Sequence, residues 1–83
     1  MITDADSAVR TALARIAPEA DLDVLPGDAD LQEELDLDSM DFLNFLIALS
    51  ELTGVDIPET DSSQVRTFAD CVGYVTARVV SDQ

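Results

Sequence analysis

The sequence predicts an all-α fold, a small bundle of four helices. Three observations carry this. Apolar residues recur at helical spacing in three stretches, 1–17, 39–52 and 67–80. A residue suited to capping stands at the start of each helix: Thr3, Asp38 and Thr67. The 83 residues are 47% apolar, enough for one modest core and one domain spanning 1–83. A short helix at 59–65 is the third of the four, and a long loop joins the first two.

In the first stretch Ala5, Val9, Ala12, Leu13 and Ile16 form one apolar stripe. Asp4 and Asp6 fall in its first turn. Arg10 and Arg15 lie off the stripe, and Pro18 ends the helix at or before Ala17. Residues 18–38 form the loop. They hold nine acids and no basic residue, with a turn signal at Pro26-Gly27-Asp28. A loop this long needs pinning. Leu22, Val24, Leu25, Leu31, Leu35 and Leu37 are the expected anchors, and residues 30–34 suit a helical turn. Asp28-Ala29-Asp30 opens like a calcium-binding loop, but Glu33 stands where the turn glycine is required, so no metal site is assigned.

The stretch Leu35–Leu43 joins the acidic loop to an apolar helix, with Ser39 at the joint. Asp38 can accept hydrogen bonds from the unpaired N–H groups of the first turn. Asp41 occupies the partner position of a capping box. Ser39 then lies in the first turn with its hydroxyl toward solvent, where an attached phosphate would sit near the positive end of the helix dipole. Along the helix Phe42, Phe45, Leu46, Leu49 and Thr53 share a core face. Met40, Asn44, Ile47 and Glu51 share the opposite face, with Asp41 and Ala48 beside them. If that face is open, it is an apolar stripe rimmed by acids.

Gly54 suits a left-handed C-cap. Val55 and Ile57 turn back to the core, and Pro58 suits the first turn of the short helix. Thr67 with Asp70 repeats the capping pattern. Phe68, Cys71, Val72, Val75 and Val79 form the last stripe, with Tyr74 off it at the bundle edge and Ser81-Asp82-Gln83 as a tail. Cys71 reads as a small buried apolar residue.

Eighteen acids oppose four arginines, for a net charge of -14. Such a chain repels nucleic acid and anionic membranes and attracts basic protein surfaces. With neither His nor Lys, and no spacing that sets up a catalytic pair, an enzyme is not expected. No apolar run is long enough to span a membrane, and none resembles a signal peptide. A cytoplasmic monomer is the expectation.

Leu37-Asp38-Ser39-Met40 with its apolar helix, followed by Gly54-Val55-Asp56-Ile57-Pro58-Glu59, resembles the acyl carrier proteins over nearly the whole chain. The resemblance implies a four-helix bundle of acyl-carrier type. It also implies a 4'-phosphopantetheine arm on Ser39, flanked by Asp38 and Met40 and placed there by a phosphopantetheinyl transferase. The arm's thiol would hold an acyl group as a thioester. Asp36, Asp41, Asn44, Ile47, Ala48 and Glu51 would meet partner enzymes with basic docking surfaces: acyl ligases, acyltransferases or synthases. Phe42, Phe45, Leu46 and Phe68 would line an acyl cavity. The chain departs from the usual pattern at Asp36, commonly Gly, at Asn44 and Ser50, commonly acidic, and at the bulky Phe42 and Phe45. These differences point to a specialised fatty-acid, lipid or polyketide-type pathway. The alternatives are an aminoacyl carrier of D-alanyl or peptidyl type, and an unmodified acidic interaction domain.

Overall fold

A computed structural model describes residues 4–81, with side chains to residue 78. Helix α1 runs Ala5–Ile16, α2 is a single turn at Leu31–Glu34, α3 runs Ser39–Thr53 and α4 runs Phe68–Ser81. Two 3₁₀ segments, Leu22–Val24 and Glu59–Gln64, complete the order. The second of these is the expected short third helix, with Pro58 at its N-cap rather than inside its first turn. Among the described residues there is no strand, only an isolated antiparallel bridge between Asp30 and Thr67.

The local chemistry explains the helix ends. Asp4, expected within the first turn, is itself the cap of α1, accepting from the Asp6 N–H and the Ser7 hydroxyl; Thr3 lies outside the described residues. Ala17 closes α1 one residue before Pro18. Gly54, at φ 73°, takes the left-handed conformation that ends α3. Thr67 Oγ1 accepts from the Asp70 N–H ahead of α4. Ser81 still belongs to α4; Asp82, Gln83 and the side chain of Val79 lie outside the description.

Helix α1 packs against both α3 and α4, and α4 also touches the Glu59–Gln64 helix. The core sits between them, around Val9, Leu13, Phe45, Leu49 and Val75. Ala8 joins it from α1, although the stripe omitted it. Tyr74, expected at the bundle edge, is buried. Its ring falls one turn from Cys71 on the covered face, and its hydroxyl finds a partner in Asp61.

The long loop is pinned at its far end. Leu31 is fully buried, a contribution of about 1.5–3 kcal/mol. Its N–H donates to the Arg66 carbonyl at 2.8 Å, and the Ala69 N–H donates to the Gly27 carbonyl at 2.9 Å. Leu22, Leu25, Leu35 and Leu37 pack at the core margin, but Val24 does not anchor anything: it is 72% exposed. It ends a one-turn 3₁₀ segment that directs Leu22 inward and Val24 out.

Candidate functional site

The site begins at the start of α3. Asp38 is extended and caps the helix, its Oδ1 accepting from the Asp41 N–H at 2.8 Å. Asp41 returns no bond among the described residues, so only half of the capping box forms. Ser39 is the first helical residue and is exposed. The N–H groups of Ser39 and Met40 have no partner among the described residues, leaving the positive end of the helix open beside the Ser39 hydroxyl. Two residues before the cap, Asp36 holds φ 54°, the left-handed region that favours glycine. Asp36 therefore holds a backbone shape that glycine adopts more readily.

Ser39 stands at the rim of a hollow of about 460 Å³ between α3 and the Glu59–Gln64 helix. Met40, Phe42, Leu43 and Leu46 give it an apolar wall, and Ser62, Ser63 and Arg66 a polar one. Of the four residues expected at a cavity, Phe42 and Leu46 line this hollow and Phe45 and Phe68 do not. Phe45 is fully buried behind Phe42, their ring centroids 5.8 Å apart. Phe68 instead lies under the Arg10 guanidinium, 5.4 Å from ring centroid to Cζ, because the start of α4 packs against α1.

On the outer face of α3, Met40 is 65% and Ile47 50% exposed, with Asn44 and Glu51 also open and Asp41 half-buried. Ala48, expected beside them, is only 7% exposed. It lies about 60° around the helix from Phe45, and so within the covered arc.

Two pairings that the sequence reading did not anticipate brace the elements around the hollow. Arg66 donates through Nε and Nη2 to Asp30 Oδ2, at 3.1 and 2.7 Å. The Arg66 hydrogen bond, with those from the Glu33 and Gln32 N–H groups, holds the Asp30 carboxyl below its ordinary value. A lone cation between Arg15 and Arg78 in so acidic a chain was the available signal. In the second, the Tyr74 hydroxyl donates to Asp61 Oδ2 at 2.6 Å, tying α4 to the Glu59–Gln64 helix, and Arg78 stacks 3.4 Å from the Tyr74 ring centroid. Burial, then the bond to Asp61, raises the Tyr74 phenol. Behind these, burial pushes the Cys71 thiol up to about 12, and its Sγ donates to the Val65 carbonyl. Cys71 is a core residue.

A helical bundle with an exposed serine at a capped helix start, beside a part-apolar hollow, has the form of a carrier domain. The pattern of the family described as phosphopantetheine attachment site matches residues 7–75. An acyl carrier protein of Lactobacillus johnsonii is 33% identical over 55 residues, covering 66% of this chain and 69% of its own. Acyl carrier protein 2 of Ralstonia nicotianae is 42% identical over 62 residues, covering 75% and 65% respectively. A solution structure of a candidate acyl carrier protein from Anaplasma phagocytophilum superposes with a TM-score of 0.77 at 21% identity, covering 94% of this chain and 92% of that one, which shows the shared fold. The chain belongs to the acyl carrier protein family.

Members of that family are carriers, not enzymes; their prosthetic group is 4'-phosphopantetheine, and they work with modifying and synthase enzymes. The residues present fit such a group: an exposed hydroxyl, open N–H groups beside it and an adjoining hollow. No described helix is long and apolar enough to cross a membrane.

Proposed function

We propose that Ser39 is the attachment point of the 4'-phosphopantetheine arm and that the chain presents an acyl intermediate to partner enzymes in a specialised fatty-acid, lipid or polyketide-type pathway. The observation that carries this is the exposed Ser39 hydroxyl at the capped start of α3, on the rim of the α3 hollow. The arm supplies a thiol that holds the acyl group as a thioester. Asp38 fixes the first turn, and so the direction in which the Ser39 oxygen points. Met40 and Phe42 offer apolar surface beside it. Asp36, Asp41, Asn44, Ile47 and Glu51 meet the basic docking surfaces of the transferase and of acyl ligases, acyltransferases or synthases, with the acids steering approach and Ile47 giving contact.

The test is intact mass spectrometry after incubation with coenzyme A and a broad-specificity phosphopantetheinyl transferase. The expected result is a gain of one phosphopantetheine that vanishes in Ser39→Ala. A folded protein that gains nothing from an active transferase would instead favour the unmodified interaction domain.

A further inference from the structure

Two hollows flank the start of α3, and Ser39 lines only one of them. That one, between α3 and the Glu59–Gln64 helix, is lined by one cation, Arg66, and one carboxylate, Glu59. The second hollow, about 760 Å³, opens on the other side of the Ser39 joint, between the end of α1 and the acidic loop. It is lined by five carboxylates, Glu19, Asp21, Glu34, Asp36 and Asp41, and by no cation. A group attached to Ser39 through a phosphodiester brings one more negative charge to this joint. We propose that Arg66 is the positioning residue for the phosphopantetheine arm: it holds the arm's phosphate and so lays the arm in the α3 hollow instead of leaving it free in solvent. The inference rests on Ser39 being the attachment point.

Arg66 can do this without giving up its structural partner. A guanidinium has five N–H donors in a fixed fork. Two of those on Arg66 go to a single oxygen, Asp30 Oδ2, at 3.1 and 2.7 Å. The other three have no protein partner among the described residues, and the side chain is 64% exposed. Arg66 lines the hollow and Asp30 does not. The pairing therefore fixes the guanidinium at the wall and leaves donors over for an anion. Arginine meets phosphate through charge-assisted, fork-shaped contacts that a lysine cannot copy. The remaining walls suit the remainder of the arm, which carries two amides, a hydroxyl and a pair of methyl groups. Gln32, Ser62 and Ser63 offer hydrogen bonds, and Phe42, Leu43 and Leu46 offer apolar surface. In the acidic hollow the same phosphate would lie among five carboxylates with nothing to offset them.

The test reads the motion of the arm, not the activity of any enzyme. The chain is loaded from coenzyme A labelled with ¹⁵N at its pantetheine amides, using a broad-specificity phosphopantetheinyl transferase. NMR relaxation then gives the order parameter of the amide nearer the phosphate, in the parent, in Arg66→Gln and in Asp30→Asn. Both variants should fold. The backbone bonds from the Leu31 N–H to the Arg66 carbonyl and from the Ala69 N–H to the Gly27 carbonyl need neither side chain, and asparagine can cap α2 as Asp30 does. The two substitutions delete the same ion pair, so a pair that only braces the fold would affect the arm equally through either. If Arg66 holds the phosphate, Arg66→Gln frees the arm, whereas Asp30→Asn leaves all five donors to it. The expected order parameter is about 0.6–0.8 in the parent and in Asp30→Asn, and below about 0.6 in Arg66→Gln. Raising salt from about 0.01 M to about 1 M should bring the parent toward Arg66→Gln, because the contact is exposed. Equal values in the parent and Arg66→Gln, or a fall in Asp30→Asn as large as in Arg66→Gln, overturn the inference. A parent arm below about 0.6 at low salt also overturns it, even if acylation later orders the arm, since the hollow would then serve the cargo. The mass of the same sample separates this from the carrier reading. A gain of one phosphopantetheine with a mobile arm removes Arg66 alone; no gain removes the Ser39 attachment and this inference with it.

Discussion

Replacing Asp36 by glycine should stabilise the fold and loosen docking together. The residue sits at φ 54°, where a non-glycine side chain crowds the backbone at a cost of about 1–2 kcal/mol, somewhat less for Asp, which tolerates this region. Glycine removes that strain but enlarges the conformational freedom of the unfolded chain, giving back about 0.4–1 kcal/mol. It also removes one charge from a chain of net -14, which eases self-repulsion. The balance is a gain of about 0.5–1 kcal/mol, or about 2–8 °C in the melting midpoint for a domain of this size. Denaturant melts followed by circular dichroism at 222 nm would measure it. Asp36→Asn separates the two causes, since it removes the charge and keeps a side chain in the left-handed region. Asn alone should recover less than half of the glycine gain. A glycine variant no more stable than wild type, or an asparagine variant equal to it, would refute the strain argument. Because Asp36 lines the acidic hollow, the stabilised glycine variant should still bind the transferase more weakly.

Further outcomes are expected for three substitutions. Tyr74→Phe deletes the hydrogen bond to Asp61 and should cost about 1–2 kcal/mol, with faster amide exchange confined to 59–64, the segment that bond ties to α4; exchange unchanged there would disconnect Tyr74 from the edge of the hollow. The Tyr74 phenol is raised above its ordinary 10.0 in the folded protein, so its contribution is full below pH 10 and lost as pH rises through the folded value, and the alkaline limb of the wild-type stability curve should be steeper than that of Tyr74→Phe. Asp30 has the opposite sign. Its folded value is lowered from 3.8, so the stability lost in Asp30→Asn should be constant near neutrality and shrink as pH falls below 3.8; a gap that does not shrink on acidification would mean the Asp30 carboxylate is not its source. Ile47→Asp, at a side chain half open to solvent, should leave stability within about 0.5 kcal/mol while weakening partner binding several-fold, and unchanged affinity would remove Ile47 from the docking face.

What could be read from the sequence was the chemistry that acts within a turn. The Asp38 cap, the Gly54 terminus and the covered face of α3 through Phe42, Phe45 and Leu49 follow from local rules, and the structure has all three. Directions around a helix were also legible; which directions a neighbour covers was not. Ala48 lay near the open stripe by spacing alone, yet its arc is covered. Val24 failed as an anchor for a related reason: a 3₁₀ turn places alternate residues differently from an extended loop, and nothing in Leu22-Asp23-Val24 announces the turn. The pairing of Asp30 with Arg66 spans 36 residues, and no local pattern encodes a contact that only the closed bundle makes.

These long-range contacts matter to the site because they make the Ser39 joint a partition. On one side the Asp30–Arg66 pair and the Tyr74–Asp61 bond fasten the elements that frame the α3 hollow. On the other, the acidic loop lines the second hollow and is tied to α1 by the exposed Arg10–Asp23 pair at 3.4 Å. The first side contains Arg66, the only cation lining either hollow among the described residues, and the second contains none. If Ser39 carries the arm, a basic partner is expected on the acidic loop side and the arm's cargo on the side of the α3 hollow. The cap holds the serine between the two, so an enzyme bound on the loop side can reach the hydroxyl without occupying the α3 hollow.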